Sequence, residues 1–109
     1  MREAPSRPFD SYQSPVNAQT RDHPGRLTFE VNRAQVDDVL LVADEDLIAA
    51  MRLLFERLKV VVEPSGASAL AAVLTNADRF RGRRVGVLLS GGNIGADRFA
   101  SLLCGGALQ

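Results

Sequence analysis

The sequence lacks most of what specialised sites and compartments require. It has a single cysteine, Cys104, and a single histidine, His23, so an intrachain disulfide is excluded and neither a metal cluster nor a Ser/His/Asp triad is indicated. Its longest apolar runs, such as Val85–Leu89, fall far short of the roughly 20 residues of a membrane helix, and the amino terminus has no apolar signal core. We therefore expect a cytoplasmic protein with no membrane partner.

The charges provide no excess of either sign. Thirteen basic and thirteen acidic side chains cancel, so no extended positive field is available to attract phosphate backbones. Nucleic acid is therefore not an expected partner. Residues 1–22 contain Pro5, Pro8 and Pro15 among polar side chains, a composition that predicts a flexible tail. Residues 23–109 remain to form one small domain.

From Val36 onward, short apolar runs alternate with segments of helical pattern. Such runs predict strands buried on both faces, and the three are Val39–Val42, Val60–Val62 and Val85–Leu89. The intervening segments predict helices, the first of them capped by Asp44; they run from Asp44 to about Lys59, from Ser65 to about Leu74, and from Ala96 to Leu103. The βαβαβα order predicts an α/β fold, a partial three-layer sandwich with a short parallel sheet.

Two turns follow predicted strands, at the end of a parallel sheet where ligands bind. They are Glu63–Gly66, the first turn, and Ser90–Asn93, the second turn. The run from Ser90 to Gly95 differs from the dinucleotide-binding G-x-G-x-x-G motif by a serine in place of its first glycine, but the acidic residue that motif requires would lie past Gln109. In a simpler interpretation the glycines only supply positive φ and close helix-strand packing, with no ligand.

The two turns in their sequence context resemble a known enzyme family. Leu58–Ala67 (LKVVVEPSGA) and Arg84–Asn93 (RVGVLLSGGN), in this order and spacing, are similar to the last part of threonine/serine dehydratases of the tryptophan-synthase-β-like family, which depend on pyridoxal 5′-phosphate (PLP). Pro24–Phe29 and Val36–Val39 resemble the segment upstream. The resemblance implies that the chain is the carboxy-terminal part of a fold type II PLP enzyme.

The resemblance also implies roles for individual residues. In such enzymes the serine of the S-G-G-N motif donates a hydrogen bond to the pyridine nitrogen of PLP, which assigns Ser90 to the cofactor. Gly91, with Gly92, would let the backbone pass close to the ring, and Asn93 would hold the turn by local hydrogen bonds. Glu63 would lie near the same side of the cofactor. These assignments give cofactor-binding residues but no catalytic residue and no metal ligand.

The features that the family places upstream are missing from the matched region: the lysine that binds PLP covalently, the phosphate-binding glycine loop and the substrate-carboxylate loop. Lys59 is the only lysine, and its position at a helix end favours interaction with the helix dipole. We therefore expect part of a threonine/serine ammonia-lyase that is inactive alone, its amino-acid substrate being bound by the intact enzyme. Two alternatives remain: an interaction module that docks on a full-length relative or self-associates through open sheet edges, and a small nucleotide-binding domain.

Overall fold

The computed structural model describes residues 25–105, which divide between two compact units, one ending at Val39 and the other beginning at Leu40. The predicted flexible tail, residues 1–22, lies outside the described residues. Within residues 25–105, none of the helices is both long and apolar enough to cross a membrane.

The first unit contains a helix, α1 (Arg26–Gln35), that the sequence pattern did not predict. It begins after Gly25, whose carbonyl oxygen accepts a hydrogen bond from the Phe29 N–H at 2.8 Å. The apolar residues Leu27, Phe29 and Val31 recur at every second position, which is the period of a strand. All three are exposed on the helix, so the alternation does not correspond to one buried face.

The second unit consists of helices joined by irregular segments. Its helices are α2 (Asp44–Leu53), which continues into a π-helical turn at Leu54–Leu58, then α3 (Pro64–Thr75), α4 (Ala77–Phe80) and α5 (Ala96–Leu103). The three predicted helices are confirmed, whereas the sequence pattern did not predict α4. Pro64 occupies the first position of α3, where its missing N–H costs no intrahelical hydrogen bond.

The start of α2 differs by one residue from the expectation. Ala43, not Asp44, is the N-cap residue. Asp46 supplies the capping carboxylate, which accepts a hydrogen bond from the Ala43 N–H at 3.3 Å. Asp44, Glu45 and Asp46 all lie in the first helical turn, where their negative charges face the positive end of the helix dipole.

The predicted parallel sheet is wrong: residues 25–105 contain no strand, and the described fold is helical. A strand ladder needs hydrogen bonds repeated along two neighbouring segments. The observed backbone bond runs from the Glu63 N–H to the Gly91 carbonyl oxygen at 3.2 Å, and it joins the turns that follow the second and third predicted strands rather than the strands themselves. The apolar side chains expected to be covered on both faces are also exposed, with Leu41 at 83% and Leu88 at 78%. Strands of this kind are stable when helices cover both faces of their sheet. The helices of residues 25–105 do not cover these apolar runs on both faces.

The core of the second unit forms where α2 packs against α3 and α5. Its buried apolar residues come from α2 and the π-helical turn, from α3 with the segment before it, and from α5: Leu47, Ala50, Met51, Leu54, Val62, Ala67, Ala71, Phe99 and Leu102. The small residues of α3 allow its axis to approach α2 closely. Burial of Met51 and Leu102, both with no exposed surface, contributes roughly 1.5–3 kcal/mol for each side chain.

Two side chains of the long helical segment contact α5. The guanidinium of Arg52 donates a hydrogen bond to the carbonyl oxygen of Leu103, the last residue of α5, where cations are stabilised by the helix dipole. The rings of Phe55 and Phe99 meet edge to face with centroids 5.4 Å apart. These contacts hold α5 against the end of α2 and the π-helical turn that follows it.

Lys59 ends the π-helical turn with a left-handed backbone, φ 58° and ψ 34°. Its Nζ donates to the carbonyl oxygen of Glu56 at 2.8 Å, which confirms the expected interaction with a helix end. A Cβ atom in this conformation costs about 1–2 kcal/mol, a strain that glycine lacks.

We expect Lys59→Gly to raise the free energy of unfolding by about 1 kcal/mol, because the relief of strain exceeds the added entropy of the unfolded chain and the lost ammonium contact. Urea denaturation followed by circular dichroism measures the change. Lys59→Ala is the matched control, since it removes the ammonium but keeps the Cβ. Equal stability of the two variants would contradict the strain argument.

Candidate functional site

The first turn and the second turn lie against each other. The first turn leads into α3, with Glu63 as the N-cap residue. The second turn connects the irregular segment 84–89 to α5, which begins after Gly95. The bond from the Glu63 N–H to the Gly91 carbonyl oxygen joins the two turns.

The glycines of the two turns allow close backbone approach. A Cβ placed on Gly66 would lie 2.5 Å from the Gly91 carbonyl oxygen, and one on Gly92 would lie 2.7 Å from the Val61 carbonyl oxygen. Both distances are shorter than a carbon–oxygen contact allows. Within residues 25–105, positive φ among glycines occurs at Gly82 and Gly105, so the interpretation that the glycines of the turns supply positive φ is wrong.

The carboxylate of Glu63 also lies beside the second turn. Its Oε1 is 2.7 Å from the position that a Cβ on Gly91 would occupy, and the residue is half-buried. The absence of a side chain at Gly91 is therefore what leaves room for this carboxylate. It makes no hydrogen bond to Ser65 within the described region, so contact with the second turn is the observed role of the side chain.

Ser90 is exposed, immediately before the contact between the turns. Within residues 25–105 its hydroxyl has no hydrogen-bond partner, so the group is available to a ligand.

Asn93 does not hold the turn as expected: the local hydrogen bond runs from the Ile94 N–H to the Gly92 carbonyl oxygen at 2.8 Å. The sequence did not predict the close contacts of Gly66 with Gly91 and of Val61 with Gly92. The glycine two positions after Pro64 was a signal for the first of these contacts.

The chemistry of these groups fits one edge of a pyridine ring. A serine hydroxyl can donate to an unprotonated pyridine nitrogen, and Gly91 and Gly92 present backbone without a side chain on which a flat ring can lie. Glu63 adds a carboxylate on the same side. No group of three His, Cys, Asp or Glu side chains capable of holding a metal ion occurs among residues 25–105. The serine hydroxyl and the bare backbone are groups of the kind that can contact an organic ring.

Comparison with known proteins decides the family. The family model described as pyridoxal-phosphate dependent enzyme matches residues 2–91, which include both turns up to Gly91. The chain belongs to the pyridoxal-phosphate dependent enzyme family. The resemblance inferred from the two turns is thus confirmed, and PLP is the cofactor of this family.

Individual relatives within the PLP-dependent family are similar over most of this chain. It is 46% identical over 88 residues to an L-threo-3-hydroxyaspartate ammonia-lyase of a Pseudomonas species, which covers 81% of this chain and 27% of that protein. A serine racemase of Schizosaccharomyces pombe is 40% identical over 86 residues (79% and 26%), and a phenylserine dehydratase of Ralstonia pickettii is 42% identical over 91 residues (83% and 28%). The chain spans about a quarter of the length of these relatives. Their names do not single out threonine as a substrate.

The position of Lys59 bears on covalent binding of PLP. It ends the π-helical turn and its ammonium donates a hydrogen bond to the Glu56 carbonyl oxygen, whereas the two turns lie at the start of α3 and before α5.

We expect no stoichiometric borohydride-reducible adduct at Lys59 when the 109-residue chain is treated with low-micromolar PLP. Mass spectrometry of peptides measures the adduct, with Lys59→Arg as the control. Complete modification of Lys59 with release of ammonia from threonine would refute this expectation.

Proposed function

We propose that this chain provides the ring-nitrogen edge of the cofactor site in a PLP-dependent ammonia-lyase, which dehydrates and deaminates a 3-hydroxy amino acid such as L-serine or L-threonine to a 2-oxo acid and ammonia. The observation that carries the proposal is the exposed Ser90 hydroxyl next to a backbone fixed by the first turn. The names of the relatives support the substrate class, since they include hydroxyaspartate, phenylserine and serine.

The bound cofactor supplies an electron sink for the carbon that carries the amino group. Ser90 would donate a hydrogen bond from its hydroxyl to the ring nitrogen, and that nitrogen would stay neutral because a hydroxyl does not stabilise a pyridinium as a carboxylate does. Moderate electron withdrawal suits elimination, in which the hydroxyl group leaves promptly. Gly91 and Gly92 would admit the ring, and Glu63 would limit its movement on that side.

The proposal gives this chain no covalent attachment point for PLP. Lys59 is the sole lysine of the sequence, and its ammonium is used at a helix end. Activity would therefore require a lysine from another polypeptide segment, and the 109 residues would be inactive alone. The nucleotide-binding hypothesis is not retained, because residues 25–105 contain no βαβ unit and the family match includes Ser90 and Gly91.

A chimera tests the proposed role of Ser90. The 88 residues of this chain that match the Pseudomonas ammonia-lyase would replace their counterparts in that enzyme, and ammonia release from L-serine, L-threonine and hydroxyaspartate would be measured. We expect Ser90→Ala to lower kcat by about tenfold to a hundredfold, as when one strong hydrogen bond is lost from the transition state, while PLP stays bound.

Ser101→Ala is the matched control for that substitution, since Ser101 is exposed on α5 away from the second turn. It should retain the activity of the chimera. Unchanged kcat in Ser90→Ala, with PLP bound, would remove Ser90 from the proposed site.

An apolar cavity favours a second candidate function, a non-catalytic module that docks on a full-length relative. The cavity holds about 370 Å³ and is lined by α2, the π-helical turn, α3 and the segment before the second turn: Leu53, Leu54, Arg57, Leu58, Leu70, Val87 and Leu89. Leu58 is 63% exposed at its rim. About three-quarters of each relative lies outside the matched region. Apolar side chains from that part of a relative would be the partner of this apolar cavity.

We expect Leu58→Glu to weaken association with the Pseudomonas ammonia-lyase at least about tenfold, because a carboxylate would be desolvated in the groove. Analytical ultracentrifugation of the mixed proteins measures binding. Leu27→Glu is the control, since Leu27 is 81% exposed in the first unit. Wild-type affinity in both variants would contradict docking of a full-length relative at this cavity. Self-association of the chain in the absence of the relative would contradict it as well.

A further inference from the structure

Gly66 and the peptide of Gly91 make the tightest backbone contact of the two turns. A Cβ on Gly66 would lie 2.5 Å from the carbonyl oxygen and 3.1 Å from the nitrogen of Gly91. The same Cβ would lie 2.7 Å from Cγ1 of Val62. Val62 is 2% exposed, so its side chain has no free space into which to move.

The peptide of Gly91 is held from other directions as well. The Glu63 N–H donates to its carbonyl oxygen at 3.2 Å, and the next residue, Gly92, passes the Val61 carbonyl oxygen so closely that its own Cβ would lie at 2.7 Å. The nitrogen of Gly91 is bonded to the carbonyl carbon of Ser90. The carbonyl oxygen of Gly91 belongs to the peptide that it shares with Gly92, and its nitrogen belongs to the peptide that it shares with Ser90. Because a Cβ on Gly66 would lie close to both atoms, a displacement that includes the nitrogen moves Ser90.

A side chain on Gly66 would force such a movement. Extending the 2.5 Å contact to 3.0 Å requires the Gly91 carbonyl oxygen to retreat by about half an ångström, which is comparable with the tolerance of a positioned polar group. Because Gly66 and Val62 are both buried, the more exposed second turn is the side that yields.

We propose that Gly66 is a positioning residue for Ser90: the bare backbone at the start of α3 sets the place of the Gly91 peptide and, through it, the place of the Ser90 hydroxyl. The contact of that hydroxyl with the PLP ring rests on the proposed function. The dependence of Ser90 on Gly66 does not, since it follows from the contacts of the two turns.

Amide nitrogen–proton NMR spectra of the 109-residue chain test the positioning. In Gly66→Ala, the amide signals of Ser90, Gly91 and Gly92 should shift from their wild-type positions. Gly86→Ala is the matched control, because a Cβ on Gly86 meets nothing within 4 Å; its shifts should be confined to its chain neighbours. Unchanged signals at 90–92 in Gly66→Ala, or equal shifts in the control, would overturn the proposal.

Titration with pyridoxine 5′-phosphate, a PLP analogue without the aldehyde, separates the two proposals. In the wild type it should shift the Ser90 amide, and in Gly66→Ala the apparent affinity should fall about fivefold or more, as when one hydrogen bond is lost. No response in the wild type would overturn the cofactor role of Ser90, while the ligand-free spectra still decide the role of Gly66. Wild-type affinity in Gly66→Ala would overturn the positioning.

Gly92→Ala provides a second route if Gly66→Ala does not fold. Gly92 is exposed, so a side chain there disturbs the core less, yet its Cβ would lie 2.7 Å from the Val61 carbonyl oxygen and would displace the second turn. The Ser90 and Gly91 amides should shift in this variant too. A folded Gly92→Ala with wild-type signals at both residues would count against backbone contact as the device that places Ser90.

Discussion

The second unit depends on the close approach of two backbones at Gly66 and Gly91. This contact joins the start of α3, which carries the buried Ala67 and Ala71, to the segment that leads into α5. Because both positions lack a Cβ, the peptide of Gly91 can reach the Glu63 N–H, and the chain before α5 is held without a strand ladder. The core and the candidate site therefore share one constraint, which explains why a residue of the packed interior can control a residue exposed to ligand.

The apolar runs that predicted strands form no sheet in residues 25–105. Val39, Leu41 and Leu88 are exposed, and burial of such side chains is the main driving force for strand pairing between two layers. The pattern describes the surroundings that these residues would need, whereas the structure describes those they have.

The sequence predicted the helices of the second unit because their apolar positions recur with the helical period and their starts carry turn residues, as Pro64 does for α3. It failed at α1, where Leu27, Phe29 and Val31 alternate with the period of a strand. It located the candidate site through Glu63, Ser90 and Gly91, but assigned the glycines to positive φ, since composition does not reveal which backbone atom lies opposite a glycine. The sequence also did not predict the left-handed backbone conformation of Lys59, because a lysine rarely adopts that conformation.

The chemical character of the candidate site follows from which of its groups are neutral and which are charged. Ser90 offers a neutral hydroxyl at the exposed position, whereas the carboxylate of Glu63 is directed at the bare backbone of Gly91. Exchange of these roles would place a carboxylate on the ring nitrogen, stabilise a pyridinium and strengthen the electron sink beyond what elimination needs. The glycine at position 91 admits Glu63 beside the second turn, and in the proposed site Ser90 would face the ring. Close packing of backbone at the two turns would then also keep the proposed electron sink moderate.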